Sequence, residues 1–227
     1  MKNSVAKLTA PRKFDLFSEE IPKLENDYVL VKVQTAGICG SDLHLFRNAG
    51  TGSGVNKGSY KLNLPSSLGH ECSGIVIDSN KTNFNSGDLV AIDPLHSCID
   101  RINCDHAGFS RHLCPYQTYL GTAPQIGGFR EYIILHKSQL FKSPNFNAEE
   151  AAMIEPLSTA LHAANRISIN EDNKILILGA GGIGALLCAV CKTIANEVVV
   201  FDQLEYRLKH VEKFFNSSDS LNYNDKN

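Results

Sequence analysis

The feature that most constrains the fold is an alternation of apolar strand and helix patterns in the last third of the chain. Strand-like runs at residues 174–178 and 197–201 each lead into a helical pattern, at residues 183–194 and 204–214. Strands that are joined by helices pair in parallel, because each crossover returns the chain to the same end of the sheet. The sequence therefore predicts a βαβα unit with a parallel sheet, and a last short strand at residues 220–223.

The first half of the chain carries a different pattern. Short runs rich in β-branched and aromatic residues occur at residues 28–34, 72–78, 88–92 and 129–135. Gly, Asn, Ser and Pro separate these runs, as in the turn cluster at residues 85–88. Many short strands with irregular loops predict a β-barrel rather than a second parallel sheet.

A helix is predicted where these two patterns meet. Asn147 suits the N-cap position and Glu150 the third helical position, which together form a capping-box-like start. Apolar residues then recur at helical spacing to about residue 165. We therefore expect two domains, at residues 1–168 and residues 169–227, with the parallel sheet in the second.

Charge and cysteine content narrow the function classes. The 227-residue chain carries 22 Lys and Arg against 24 Asp and Glu, without a long block of either sign, which argues against nucleic-acid binding. No apolar stretch is long enough to cross a bilayer, and the N-terminal residues lack the apolar core of a secretory signal, so no membrane partner is expected. Seven cysteines without such a signal indicate reduced thiols and a cytoplasmic location.

Four residues stand in short phrases that favour metal binding. Cys39 lies in GICGSD, His70 and Glu71 lie in LGHE, and Glu155 lies in IEPLSTALHA. One thiol, one imidazole and two carboxylates suit a four-coordinate ion such as zinc. Each residue alone also fits a plainer role, as a buried thiol, a satisfied polar imidazole or a solvated acid. It is the joint pattern that predicts one metal site.

The turn after the first parallel strand fits the G-x-G-x-x-G pattern of dinucleotide-binding sites. It follows an apolar strand and opens a helix, which is the context that this pattern requires. Asp202 lies 18 residues beyond the last glycine, where a carboxylate accepts from both ribose hydroxyls and repels a 2′-phosphate, so NAD is preferred over NADP. Arg207 weakens that preference slightly, and we interpret it as a solvated helical residue. The predicted cofactor-binding residues are Gly179, Gly181, Gly182, Gly184 and Asp202.

Taken together, these phrases closely resemble the zinc-containing medium-chain alcohol/polyol dehydrogenase family over nearly the whole chain. The resemblance is carried by GICGSDLH, LGHE, GDLVAIDP, GGFREYIIL, EEAAMIEPLSTALHAA and GAGGIG. It implies an α/β chain in which a GroES-like β-barrel catalytic domain, residues 1–168, precedes a partial Rossmann domain, residues 169–227. The Rossmann part would be a portion of a doubly wound parallel sheet that binds NAD.

The resemblance also implies roles for the metal-site residues. Cys39 and His70 would bind one catalytic zinc, with Glu71 as the adjacent carboxylate. Glu155 falls where simple alcohol dehydrogenases carry a second Cys ligand, which looks more like the polyol, sugar-acid and threonine dehydrogenase branch. The sequence leaves open whether Glu71 or Glu155 binds the zinc directly. Asp42 fits a carboxylate that orients a ligand imidazole through its other nitrogen, and a turn-capping Asp is the alternative.

Ser41 and His44 are the predicted catalytic residues. By the resemblance, Ser41 is similar to a hydroxyl relay and His44 to its outer imidazole, through which the proton of an alcohol reaches solvent. An ordinary exposed histidine is the alternative for His44. The implied reaction is zinc-assisted hydride transfer to NAD from a secondary alcohol, on a small polyol or sugar acid.

A second metal site is not favoured by the spacing. Members of the family often carry a structural zinc on four cysteines, but here only Cys98 and Cys104 match that spacing, and Cys114 is displaced. Asp105 or His106 could supply a further ligand, although nothing in the spacing requires it. Three free thiols are therefore expected in this region.

Chain length raises a further expectation. By the resemblance, relatives complete the nucleotide sheet with additional strands, and that portion holds much of the nicotinamide pocket and the sheet edge used for homodimers. This chain supplies about half of a doubly wound sheet. We therefore carry two hypotheses, a polyol-type dehydrogenase and a truncated, catalytically inactive relative that at most binds zinc or nucleotide. The usual dimer edge is expected to be absent.

Overall fold

The chain folds into two compact units. The computed structural model describes residues 2–48, 64–97, 114, 116–121, 126–215 and 219–222. The units are Met1–Glu155 and Pro156–Asn227. The sequence placed the division after residue 168, whereas the structure groups the helix before that point with the second unit.

Antiparallel strands form most of the first unit. Its elements in chain order are β1 (Lys2–Ala10), β2 (Lys13–Glu20), β3 (Tyr28–Ala36), α1 (Gly40–Asn48), β4 (Cys72–Ser79), β5 (Leu89–Ile92), β6 (Leu95–His96), β7 (Thr118–Tyr119), β8 (Tyr132–His136), a 3-10 turn (Lys137–Gln139), β9 (Leu140–Lys142) and α2 (Ala148–Ala152). The central sheet has five strands in the order β8-β3-β4-β5-β9. β1 pairs with β2 as a hairpin, and β6 pairs with β7.

Alternating side chains of the central strands build the core of the first unit. Val29 and Val31 on β3, Val76 on β4, and Ile133 and Leu135 on β8 are all buried in one cluster. This is the period of two that a strand with one apolar face requires. The four predicted strands are therefore confirmed, and their ends differ from the prediction by at most three residues.

The sequence patterns missed the β1–β2 hairpin, helix α1 and the short strands β6, β7 and β9 of the first unit. The β1–β2 hairpin closes at Arg12 with a φ of 61°, a left-handed position that Gly or Asn usually signals. Its second strand exposes most of its side chains, including Leu16, so it shows no clear apolar alternation. Helix α1 has Asp42 as its buried residue and therefore lacks an apolar stripe.

The predicted helix after residue 147 begins as expected and then breaks. Asn147 Oδ1 accepts from Glu150 N (2.8 Å), and Glu150 Oε2 accepts from Asn147 N (2.9 Å), which completes the capping box. The helix ends at Ala152, and a second helix starts at Ile154, so the single continuous helix was wrong. Pro156 explains the break, because its ring lacks an N–H and clashes with the carbonyl four residues earlier.

The second unit is the predicted βαβα arrangement. Its elements in chain order are α3 (Ile154–Asn165, which begins at the division), β10 (Lys174–Leu178), α4 (Gly182–Lys192), β11 (Glu197–Asp202), α5 (Glu205–Phe215) and β12 (Asp219–Asn222). The strands are parallel in the order β10-β11-β12, as in one half of a doubly wound sheet. The α/β class and the parallel sheet are confirmed.

Helices α4 and α5 both pack on the central strand of this sheet. Cys188 on α4, Val200 on β11 and Val211 on α5 are fully buried in the shared core. In the part of the chain that the structure describes, no helix combines the length and apolar character needed to span a bilayer.

Candidate metal centre and nucleotide-binding turn

The pairing of β3 with β4 brings the predicted metal ligands together. Ala36 pairs with Cys72 at the end of the two strands, and Gly37 N donates to Glu71 O (2.7 Å) just beyond that pair. Cys39 follows on one chain segment and His70 precedes on the other. As a result, the thiol of Cys39, the ring of His70 and the carboxylate of Glu71 each offer a ligand atom within 4.8 Å of the others.

Gly37 is needed for this approach. A Cβ atom at this position would collide with the carboxylate of Glu71, so a larger residue would push the acid away from Cys39. The first glycine of the phrase GICGSD is therefore explained by the limited space beside Glu71.

The centre is half-buried and acidic, which favours a bound cation. Burial raises the pKa of Glu71, a hydrogen bond from Cys39 and the charge of His70 oppose that rise, and the nearby Glu155 and Asp42 carboxylates add to it. A divalent ion would reverse this penalty, because a positive charge favours the ionised carboxylate. Thiolate, imidazole and carboxylate are also the donors that zinc accepts in catalytic sites. The residues present therefore fit a zinc ion.

Asp42 holds the two segments of the centre in place. Its carboxylate is buried, with Oδ2 accepting from Cys39 N (2.9 Å) and Oδ1 accepting from Gly69 N (3.2 Å). Oδ1 also lies 3.8 Å from His70 Nδ1, which is beyond hydrogen-bond distance but close enough for an ion pair. The carboxylate thus caps the turn as one of the two sequence interpretations expected, whereas its role in orienting a ligand imidazole stays a prediction.

Glu155 lies outside the group formed by Cys39, His70 and Glu71, and it contacts a residue that the sequence did not single out. Tyr119 donates its hydroxyl hydrogen to Glu155 Oε1 (2.8 Å), and its ring packs edge-on against the ring of His70. Burial, together with the Glu155 carboxylate, raises the pKa of Tyr119, so the phenol stays protonated and remains a donor. No local pattern marks this tyrosine, which reaches the centre on the two-residue strand β7.

Ser41 and His44 lie on α1, directly after Cys39. They are three residues apart, so they share one side of the helix, and both are exposed. Both residues therefore lie at the surface of the first unit, in the segment that follows Cys39. Their proposed role in proton transfer stays a prediction.

The glycine turn has the geometry that its pattern requires. Gly179 has a φ of +104°, a left-handed conformation that strongly favours glycine, and its N–H donates to Phe201 O (2.7 Å). Gly181 is the N-cap of α4 and carries no side chain that would close the approach to the helix N-terminus. At Gly184, a Cβ atom would collide with the carbonyl oxygen of Gly179, so only glycine lets α4 pack this closely.

Asp202 ties the end of β11 to this turn. Its Oδ2 accepts from Ala180 N (2.8 Å) and its Oδ1 from Leu204 N (2.8 Å), while Arg207 Nη1 lies 3.4 Å from Oδ2. Burial acts to raise the pKa of Asp202, but these hydrogen bonds and the Arg207 charge together lower it. The predicted ribose ligand therefore also has a structural role that sequence reasoning did not anticipate.

A cleft of about 320 Å³ opens beside the turn. One wall is the start of α4 and the other is α5, which contributes aromatic and basic side chains. The lining residues are Ala180, Gly181, Gly182, Ala185, Tyr206, Arg207 and His210. A turn of backbone N–H groups with a basic wall suits an anionic ligand such as a pyrophosphate.

The expectation that the chain lacks a structural zinc is not tested by the described residues and stays a prediction. Cys98, Cys104, Asp105 and His106 lie outside the described residues, while Cys114 is described and buried. Among the other described cysteines, Cys39, Cys72, Cys188 and Cys191 are free thiols.

Comparisons with known proteins agree with this architecture. The family model for the alcohol dehydrogenase GroES-like domain matches residues 25–145, more than half of the chain. An uncharacterised zinc-type alcohol dehydrogenase-like protein of Escherichia coli K12 is 36% identical over 222 residues, which cover 94% of this chain and 61% of that protein. A sorbitol dehydrogenase of Bacillus subtilis is 34% identical over 206 residues, covering 89% of this chain and 56% of the relative.

A solved structure supports the same assignment. L-idonate 5-dehydrogenase from Escherichia coli matches with a TM-score of 0.85 at 28% identity, over 100% of this chain and 64% of that chain. The chain thus spans about three fifths of the length of these relatives. The family match, the relatives and the shared architecture show that the chain belongs to the zinc-containing medium-chain alcohol/polyol dehydrogenase family.

Proposed function

We propose that this protein oxidises a secondary alcohol of a polyol or sugar acid, with zinc at Cys39, His70 and Glu71 and with NAD at the glycine turn. The observation that carries the proposal is the convergence of one thiol, one imidazole and one carboxylate within 4.8 Å. The sorbitol and L-idonate dehydrogenases among the relatives support the substrate class. The cytoplasmic location and the lack of a membrane or nucleic-acid partner remain predictions.

Each of the chain's own residues would have a separate role in this reaction. When bound, zinc supplies a Lewis acid that lowers the pKa of an alcohol hydroxyl, and NAD supplies the hydride acceptor. Cys39 and Glu71 provide negative charge for the cation, and Asp42 keeps the Cys39 and Gly69 backbones in register. Ser41 accepts and donates through one hydroxyl, and His44 exchanges a proton with water at the exposed side of α1.

The preference for NAD over NADP rests on Asp202. This carboxylate lies at the end of β11 beside the glycine turn, and its negative charge would repel a 2′-phosphate. Arg207 lies within ion-pair distance and partly offsets that charge. We therefore propose NAD as the main cofactor, with Asp202→Asn expected to narrow the difference in affinity between NADH and NADPH.

The experiment combines nucleotide binding with turnover. Zinc-loaded protein is titrated with NADH by fluorescence, and NAD reduction is then measured with a panel of polyols and sugar acids. Turnover that disappears in Cys39→Ala, while NADH binding persists, supports the proposal. Zinc and NADH binding without turnover on any secondary alcohol would refute the proposed activity and favour the inactive relative.

A further inference from the structure

Tyr119 contacts both His70 and Glu155. Its ring stands edge-on to the ring of His70, with centroids 5.5 Å apart at 60°, and its hydroxyl donates to Glu155 Oε1 at 2.8 Å. A neutral donor on a carboxylate makes a charge-assisted hydrogen bond, which is about twice as strong as a neutral one. Tyr119 is therefore placed to decide where the Glu155 carboxylate points.

The backbone around Tyr119 is fixed by its neighbours. Tyr119 pairs with Leu95 in the short β6–β7 ladder, and Leu120 N donates to Pro94 O (2.9 Å). Leu120 is almost fully buried in the core of the first unit. A strand held by these contacts keeps the Tyr119 side chain in a fixed position, which a residue that orients another side chain requires.

Glu155 and Glu71, the two glutamates near the centre, differ in their placement. Glu71 already offers an oxygen within the three-ligand group, whereas Glu155 lies outside that group and has one oxygen engaged by Tyr119. Direct binding to the ion requires Glu155 to move toward Cys39, His70 and Glu71, away from the position in which the hydrogen bond from the anchored Tyr119 holds its carboxylate. The bond therefore favours an arrangement in which the ion keeps a coordination position for substrate.

We propose that Tyr119 is a positioning residue that holds Glu155 back from direct ligation of the ion, so that three protein ligands are retained. This inference rests on the proposed function, because it assumes an ion at Cys39, His70 and Glu71. It predicts that removal of the phenol hydroxyl lets Glu155 turn to the ion as a fourth protein ligand.

The test uses cobalt(II) in place of zinc, since the visible spectrum of cobalt reports its coordination number and geometry. Four proteins are compared: the wild type, Tyr119→Phe, Glu155→Gln and the double variant. Metal affinity is measured by chelator competition, and thermal unfolding shows that each variant is folded. Tyr116→Phe, at an exposed tyrosine three residues away, is the matched control.

We expect Tyr119→Phe to alter the cobalt spectrum and to lower the metal dissociation constant about tenfold, the scale of one hydrogen bond to a charged group. Glu155→Gln alone should leave the spectrum as in the wild type, because Glu155 is not a ligand while Tyr119 is present. In the Glu155→Gln background, the effect of Tyr119→Phe should vanish.

Three results would overturn the inference. The first is an unchanged spectrum in folded Tyr119→Phe, and the second is an altered spectrum in Glu155→Gln alone, which stands even if Tyr119→Phe does not fold. The third is an equal change in Tyr116→Phe. A wild type that binds no cobalt refutes the proposed function itself, whereas cobalt binding with any of the three results refutes only the role of Tyr119.

Discussion

Replacing Asp42 by Asn tests how the loops of the metal centre are held. The two oxygens of this carboxylate accept from different backbone N–H groups, those of Cys39 and Gly69. An Asn side chain offers one acceptor oxygen and one NH2 group. Whichever way the amide turns, one of the two backbone N–H groups then faces a donor, and Asp42 is only 4% exposed, so water does not readily replace the lost acceptor.

The expected cost follows from that single unpaired group. A buried donor without an acceptor costs about 1–3 kcal/mol, so we expect the free energy of unfolding of Asp42→Asn to fall by about this amount. The substitution also removes the negative charge 3.8 Å from His70 Nδ1. We therefore expect zinc affinity to fall as well, because a negative charge this close to the centre stabilises a bound cation.

The assay is urea denaturation of the metal-free protein together with zinc affinity by chelator competition. Asp78→Asn is the matched control, because Asp78 is exposed, accepts from the next residue Ser79, and loses the same charge. An Asp42→Asn variant that keeps both its stability and its zinc affinity would show that the Asp42 carboxylate does not hold the two loops of the centre. Equal losses in the control would show that net charge, rather than the two hydrogen bonds, is responsible.

Three further predictions concern the turn, the helix cap and acid stability. Gly184→Ala should lower the free energy of unfolding by about 1–3 kcal/mol and weaken NADH binding, because the new Cβ collides with the carbonyl of Gly179; calorimetry and fluorescence check this. Asn147→Ala should lower the free energy of unfolding by about 1 kcal/mol in urea denaturation, through loss of the capping box. For Asp202, burial acts to raise the pKa, but the hydrogen bonds that the carboxylate accepts lower the folded-state pKa overall. The ionised carboxylate therefore stabilises the fold above about pH 4, the pKa expected in the unfolded chain, and this contribution is lost as the pH falls through the lower folded-state pKa. Urea denaturation from pH 6 to pH 2 measures that loss.

Each of these predictions has a control that separates it from a general loss of stability. Gly182→Ala should keep its stability, because its Cβ would meet nothing within 4 Å, and an equal fall in the free energy of unfolding there would contradict the collision argument. Asn147→Asp should retain the cap, so a similar loss in that variant would count against it. Asp202→Asn should lose less stability in acid than the wild type, and identical pH curves would show that Asp202 does not contribute.

The second unit was predictable because its signals are local. The run at residues 174–178 is a strand with the same bounds in the structure, since Ile175 and Ile177 pack inward and a glycine turn follows directly. The left-handed φ of Gly179 was also predictable, because glycine is the residue that adopts this conformation most readily. Helix boundaries shifted by one or two residues, which is the usual uncertainty at frayed ends.

The residues that sequence reasoning missed depend on contacts between distant segments. Tyr119 reaches the metal centre only because Leu95 and Tyr119 pair across the ladder of β6 and β7, and nothing in the local sequence specifies that register. The hydrogen bond from Ala180 to Asp202 was missed for the same reason, since Ala180 is 22 residues earlier in the chain. Phrases around Cys39 and His70 were informative because they combine ligand chemistry with Gly37, whose small size permits the approach.

Zinc content per chain shows whether Cys39, His70 and Glu71 form a metal centre. Protein purified with zinc and dialysed against metal-free buffer is analysed by mass spectrometry for bound metal, for the wild type, Cys39→Ala and the control Cys188→Ala in the second unit. The convergence of Cys39, His70 and Glu71 predicts one zinc per chain in the wild type and the control, and none in Cys39→Ala. Full zinc content in folded Cys39→Ala would contradict the account.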